Sequence, residues 1–316
     1  MCTIKSLEKF DSLIELVMYF KSEEICLQYL EEWMWDGNMR CPHCGFDTPY
    51  RYKNGIRFKC KGCKVGFTAK IGTIFEKSPL PLVKWFSAMY LMATNPKGIS
   101  STTMGKLIKV RQATAWFMMH RIRESMKQED VKLDGVVSSD EAFVGGKNQN
   151  RHKVKRKAYS AGRNFKDKVP VLGMMSDTGK VKAMVLPSIS GKEIRQRVIM
   201  NVAPGSTLVT DEYSAYDKMK RFYNHQVVRH HLGEYKNKEG YSSNNIEGFW
   251  SHLKRMIIGV FHKISPKYLQ RYCDELIFKF NTRTMKESER FALMISRVNT
   301  RLSYKKLQLY DPFKKS

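Results

Sequence analysis

No stretch of this chain is apolar for long enough to cross a bilayer. The longest run, "LVKWFSAMYLMA" at 82–93, contains Lys84 and falls well short of the roughly 18 to 20 residues a span needs. The N-terminal apolar stretch is interrupted by Glu8, Asp11 and Glu15, so no signal peptide is expected and a cytoplasmic location is. Acid is scarce as well: 30 Asp and Glu stand against 56 Lys and Arg, a formal charge of +26. A surplus of that size points to a polyanionic partner, and without a membrane span that partner is nucleic acid. Cysteines number only seven. The count is odd and four sit in paired spacing, which argues against a disulfide framework and for a metal site in a reducing compartment. Cys2, Cys26 and Cys273 are scattered. Internal repeats and low-complexity tracts are also missing. What remains is a globular composition, 42% hydrophobic over 316 residues, long enough for two or three domains.

The texture of the chain changes along its length. Residues 1 to about 35 read as helical, with Phe10, Leu13, Ile14, Val17 and Met18 at helical spacing and a second amphipathic set in "CLQYLEEWMW". A Gly- and Cys-punctuated stretch follows to about 70, then a helical block at 79–127 broken by "TNPKGIS". From "VVSSDEAFVGG" the pattern becomes short apolar runs bounded by Gly, Pro and Asp. "KVPVLGMMSDTGKVKAMVLPSI" reads as two strands around a turn, "GKEIRQRVIMNVA" as a helix and "STLVTDEY" as a further strand. The rest, from 244, reads as mainly helical.

Cys41, Cys44, Cys60 and Cys63 form two CxxC knuckles separated by fifteen residues. Each knuckle can supply two thiolates to the tetrahedron that Zn²⁺ prefers, and four protein ligands close the site, so its job is structural. Asn54-Gly55 supplies a hairpin turn between the knuckles. Arg51, Lys53, Arg57, Lys59, Lys61 and Lys64 surround them, which suggests a DNA contact. Downstream, "GISSTTMGKLIKVRQATAWFMMHRIRESM" has the outline of a helix-turn-helix. Met104, Leu107 and Ile108 form one apolar face, Ala113, Trp116, Phe117 and Ile122 the other, and Arg111, Gln112 and Thr114 are candidates to read DNA. The basic run "GGKNQNRHKVKRKAYSAGRNFKDK" is a candidate DNA-facing loop.

Carboxylates in so basic a chain need a reason. Asp140-Glu141 and Asp211-Glu212 each follow an apolar strand-like run. Neighbouring strand residues face opposite ways, so only one acid of each pair can face a shared site. Glu247 lies in "SNNIEGFWSHLKRMIIGVF", where Ile246, Trp250, Leu253 and Ile257 make a helical apolar stripe. Glu247, Ser251 and Lys254 fall on an adjoining face. Three converging carboxylates suit two hard cations such as Mg²⁺, while Lys254 can reach a phosphate.

With those motifs in view, "SDEAFVGGK", "TDEYSAY", "NNIEGFWSHLKR" and "FKFNTR" (278–283) resemble the transposases of zinc-ribbon bacterial insertion sequences, the ISXO2-like family related to Merlin elements. The resemblance implies an RNase H-like α/β catalytic domain with a mixed five-stranded sheet, preceded by the ribbon and a helix-turn-helix. It implies Asp140, Asp211 and Glu247 as ligands of two Mg²⁺ or Mn²⁺ ions, Lys254 as the basic catalytic residue, and one structural Zn²⁺. Asn244 or Asn245 is the alternative third ligand. The expected domains are an N-terminal helical segment (1–36), the ribbon (37–72), the helix-turn-helix region (73–130), the catalytic domain (131–290) and a basic tail (291–316). The implied activity is metal-dependent cleavage and strand transfer of double-stranded DNA at inverted element ends, by a dimer or larger homo-oligomer associated with the nucleoid. A non-catalytic DNA-binding regulator derived from such an enzyme is the alternative, and a nuclease that only hydrolyses would share the metal site.

Overall fold

The computed structural model describes residues 10–53, 55–146, 168–229, 236–237, 239–242 and 244–309. Asn54 and most of the basic run after Gly146, including Lys153, Lys155, Arg156 and Lys157, lie outside them. The chain forms two compact units, one of Met1–Lys127 with Thr284–Leu309 and one chiefly of Gln128–Arg283.

Serine caps open the first unit. The Ser12 and Ser22 hydroxyls accept from the amides of Glu15 and Ile25 and start α1 (Leu13–Tyr19) and α2 (Glu23–Trp35). The apolar stripe expected on α1 faces outward: Ile14 and Met18 are more than two-thirds exposed, while Leu16, Phe10 and Phe20 are buried. Phe10 and Phe20, which flank the short helix, are buried in an aromatic cluster with Tyr29, Phe86 and Phe291. Phe291 belongs to α9 (Glu287–Ile295). Residues 284–309, expected as the end of the catalytic domain and a tail, therefore pack into the first unit instead.

Three short antiparallel strands, β1 (Tyr50–Arg51), β2 (Phe58–Lys59) and β3 (Gly66–Phe67), form the ribbon. Trp35 meets Phe58 and Phe67 edge-on beneath them. Helices α3 (Leu82–Thr94), α4 (Ser101–Leu107) and α5 (Gln112–Ser125) follow. Gly105 has a specific reason for its place in the last turn of α4. A Cβ there would lie 2.9 Å from the Val110 carbonyl, in the turn where the Val110 amide donates to the Gly105 carbonyl. Ala115, Met118, Met119 and Ile122 are the buried face of α5, whereas Ala113 and Leu107, expected inside, are exposed.

The second unit is built on a sheet of β4 (Val136–Val144), β5 (Val169–Ser176), β6 (Val181–Val185), β7 (Thr207–Thr210) and β8 (Asn224–Val227), in the order β6-β5-β4-β7-β8. The β4-β5-β6 meander is antiparallel, and β7 and β8 continue parallel to β4. This is the mixed five-stranded sheet of an RNase H-like domain. Alternation along the strands sorts the two faces. Leu172 and Met174 pack with α6 (Gly191–Asn201). Val171 and Met175 pack with α7 (Asn244–Met256) and α8 (Leu269–Asn281).

Edge strand β6 is closed by side-chain amides. Gln128 exchanges bonds of 3.1 and 2.8 Å with the Ala183 amide and carbonyl. Gln270 accepts from the Val185 amide at 2.8 Å and donates to the Ala183 carbonyl at 3.1 Å. Asn281 accepts from the Val181 amide at 2.8 Å and donates to its carbonyl at 3.0 Å. These amides do for β6 what another strand would do, which blunts an edge that would otherwise invite pairing with another chain. The motif "FKFNTR" thereby acquires a structural role, since Arg283 also donates to the Gly179 carbonyl at 3.2 Å. Replacing Asn281 by Ala strips both bonds from buried Val181 and should cost about 2 kcal/mol. Urea unfolding would measure it, and a change below about 0.5 kcal/mol, ordinary for a surface substitution, would contradict this role.

Candidate active site and metal centre

In the ribbon the four cysteine sulfurs all lie within 4.8 Å of one another. Cys41 and Cys63 are 3.8 Å apart and Cys44 and Cys60 3.5 Å apart. Zn–S bonds of about 2.3 Å in a tetrahedron separate the sulfurs by about 3.8 Å, so the donor set fits zinc. Backbone amides support the sulfurs: His43 donates to Cys41 at 3.4 Å, and Gly62 and Cys63 donate to Cys60 at 3.3 and 3.4 Å. Lys53, Arg57, Lys59, Lys61 and Lys64 are exposed around this core. Arg51 is committed elsewhere, pairing with Glu31 and lying over the Phe58 ring at 4.7 Å.

Asp140 does not end its strand, as expected, but sits within β4, opposite Gly173 of β5. The strand runs on because Glu141 to Val144 continue the ladder with β5. Asp211 does follow its strand, directly after β7. The parallel register pairs Val136 with Thr207, Val137 with Leu208 and Ser138 with Val209. Two residues further on, the same offset brings Asp140 level with Asp211, and in register such side chains share a face. Helix α7 covers that face. Its Trp250 indole donates to Asp140 Oδ2 at 2.8 Å. Glu247 stands one turn before Trp250, exposed, with Ser251 and Lys254 exposed beyond it. The buried stripe of α7 is Ile246, Phe249, Trp250, Leu253 and Met256, while Ile257 falls in a π-helical turn at Ile257–Phe261.

The surroundings act on the charge of Asp140. Burial raises the Asp140 carboxyl above its usual range, the Trp250 and backbone hydrogen bonds oppose the rise, and the charges of Asp211 and Glu247 add to it. Among the described residues only the four cysteines converge within 4.8 Å, so the carboxylates form a looser set than the thiols. Their all-oxygen donors still suit a hard cation that keeps water in its shell. Asn245 is exposed at the start of α7.

Glu141 points the other way. Its carboxylate accepts from the Tyr216 hydroxyl, which lies 3.1 Å from Ser139 Oγ in a buried cluster on the α6 face. Burial, with the Asp140 and Asp211 charges adding, pushes the Glu141 carboxyl up to about 8 against the Tyr216 bond. Trp250, Gly173, Glu141 and Tyr216 were not foreseen as parts of the site. Trp250 was read only as apolar stripe, and the alternation of β4 was the one available signal that Glu141 turns away from Asp140.

Family comparisons cover both the four ribbon cysteines and the five-stranded sheet. Residues 132–281 match the ISXO2-like transposase domain and residues 21–65 the transposase zinc-ribbon domain. Both matched regions are domains of transposases. A relative in Halobacterium salinarum (strain NRC-1), an uncharacterized protein in transposable element ISH50, is 28% identical over 231 residues, covering 69% of this chain and 78% of its own. Among solved structures, a pre-cleavage Mos1 transpososome matches at 12% identity and a TM-score of 0.26, covering 72% of this chain and 82% of that one. The Mos1 strand transfer complex matches at 11% and 0.20, covering 64% and 78%. Overlaps that low add nothing to the strand order already described. No helix among the described residues of this transposase is long and apolar enough to cross a membrane.

Two outcomes are expected for the transposase. Cys60→Ser should lose about one Zn²⁺ per chain by metal analysis, and a full zinc content would contradict the four-sulfur site. Glu141 binds its proton more tightly folded than unfolded, with values of about 8 against 4.5. Its contribution to stability is therefore complete below pH 4.5 and lost as pH rises through about 8. In magnesium-free buffer, the melting temperature of the parent should fall relative to Glu141→Gln across that window. Parallel pH profiles would show that Glu141 titrates normally.

Proposed function

We propose that this transposase binds the terminal inverted repeats of its element and cleaves and transfers DNA strands, using two divalent cations held by Asp140, Asp211 and Glu247. The observation that supports the reading is the parallel register of β4 with β7, which carries Asp140 and, just past β7, Asp211 toward one level, with the charges of Asp211 and Glu247 both acting on Asp140. Burial and the charges of Asp211 and Glu247 raise the proton affinity of Asp140, and a bound cation would oppose that rise. When bound, the cations would supply Lewis acidity at the phosphoryl oxygens and activate the attacking hydroxyl.

The residues of the chain divide the remaining work. Lys254, exposed two turns after Glu247, neutralises a phosphate beside the scissile bond. Arg111, Gln112 and Thr114, exposed at the first turn of α5, enter a groove, and the ribbon lysines follow the backbone. The amides of Asn244 and Asn245 carry no charge and so are weaker candidates than Glu247 for the third ligand. Two element ends must be held together for transfer, which requires at least a dimer, acting on DNA in the cytoplasm.

Purified protein, labelled element ends and Mg²⁺ or Mn²⁺ test the reading. Asp140→Ala, Asp211→Ala and Glu247→Ala should each bind ends in a gel shift as well as the parent, yet nick them more slowly by on the order of 10²-fold or more. Asn244→Ala and Asn245→Ala should still nick. Full activity in Asp140→Ala or Asp211→Ala would overturn the metal site. Nicking by Glu247→Ala with none by Asn244→Ala would move the third ligand to Asn244. Binding without nicking in the parent protein would instead favour the regulator.

A further inference from the structure

Gly173 is a glycine for want of space, not for backbone freedom. It pairs with Asp140 across the β4-β5 ladder and shares its face. A Cβ on Gly173 would lie 2.5 Å from Trp250 Cζ2, 2.6 Å from Cη2 and 3.1 Å from Ile246 Cδ1. Contacts that short with an aromatic ring and a branched side chain, both buried, cannot be relieved by a small shift. The missing side chain thus makes a slot, and the indole occupies it edge-in.

The slot determines where the indole nitrogen goes. Trp250 is 5% exposed, and its N–H ends 2.8 Å from Asp140 Oδ2. A buried indole N–H needs an acceptor, and a carboxylate is a strong one. The same helix carries Glu247 one turn earlier. Docking the ring into the slot therefore sets the approach of α7 to β4, and with it the distance from Glu247 to Asp140. Trp250→Phe would keep the docking and lose the bond. Gly173→Ala would keep the bonding group and lose the docking.

We propose that Trp250, seated in the slot at Gly173, is a positioning residue that orients the Asp140 carboxylate and draws in Glu247 for cation binding. This rests on the reading of Asp140 as a cation ligand. Partners that orient metal ligands typically contribute 10- to 100-fold to affinity, so Trp250→Phe should bind Mn²⁺ about tenfold more weakly.

Mn²⁺ titration followed by electron paramagnetic resonance, without DNA, provides the direct readout, with Asp140→Ala as the reference. In cleavage assays Trp250→Phe should need about tenfold more metal for half-maximal rate and recover most of the rate at saturating metal. A role in packing alone would lower the melting temperature and leave metal affinity untouched. Gly173→Ala should weaken Mn²⁺ binding in the same sense, and it carries the test if Trp250→Phe does not fold. Unchanged Mn²⁺ affinity in a folded Trp250→Phe, with binding lost in Asp140→Ala, would overturn the positioning role alone. Unchanged affinity in Asp140→Ala as well would overturn the ligand assignment beneath it.

Discussion

The parallel register of β4 with β7 is the constraint on which the second unit depends. It pairs Ser138 with Val209, and the same offset two residues on carries Asp140 and Asp211 toward one level and face, where the surroundings must reconcile two carboxylates. Burial raises the proton affinity of Asp140, and the nearby charges raise it further. A hydrogen bond from a neutral donor works in the opposite direction, because it favours the charged form without adding charge to the site. The Trp250 indole is such a donor. It reaches Asp140 only because β5 presents a glycine at the paired position. One strand register, one missing side chain and one helix face thus account for the arrangement of the acids.

A sheet that holds carboxylates in place must not slide. A one-residue slip would turn Asp140 toward the α6 face and Glu141 toward α7. Two features oppose it. Apolar side chains cover both faces, Val171 and Met175 on one and Leu172 and Met174 on the other. At the β6 edge, Gln128, Gln270 and Asn281 pair with the backbone of residues 181, 183 and 185, which fixes that edge relative to α8. The "FKFNTR" stretch, far from the acids in sequence, belongs to this edge. In this chain Asn281 and Arg283 hold the backbone of residues 179 and 181.

The zinc ribbon was fully legible in the sequence, because a CxxC knuckle is a local device and its spacing alone brings sulfurs together. Strands and helices of the second unit were legible from hydrophobic period for the same reason. Failures came where a non-local contact decides. Ile14 and Met18 have helical spacing, yet a seven-residue helix lets distant rings, Phe86 and Phe291 among them, choose its buried side. The apolar run before Asp140 predicts a strand that ends there, whereas pairing with β5 carries the strand through to Val144. The roles of Trp250 and Gly173 were hidden altogether, since the cross-strand pairing that joins them to Asp140 has no local signature. Glu141 and Tyr216, brought together from β4 and the turn after β7, were hidden for the same reason.

The thiolate set and the carboxylate set differ in a way that ligand chemistry explains. Four sulfurs within 4.8 Å, backed by backbone N–H groups, leave no position for an outside ligand, so binding there contributes directly to folding. Soft thiolates and a closed tetrahedron suit zinc and reject hard, hydrated ions. The carboxylate set is looser, partly exposed, and drawn from two strands and a helix. On the proposed reading that looseness is functional, because Mg²⁺ retains waters and must leave coordination positions for phosphate oxygens. A tight cage would bind the ion more strongly and exclude the substrate. The protein therefore has to fix the direction of each carboxylate without completing the shell. A hydrogen bond from a rigid, buried ring meets that requirement, since it holds an oxygen in place while occupying none of the space where substrate must enter.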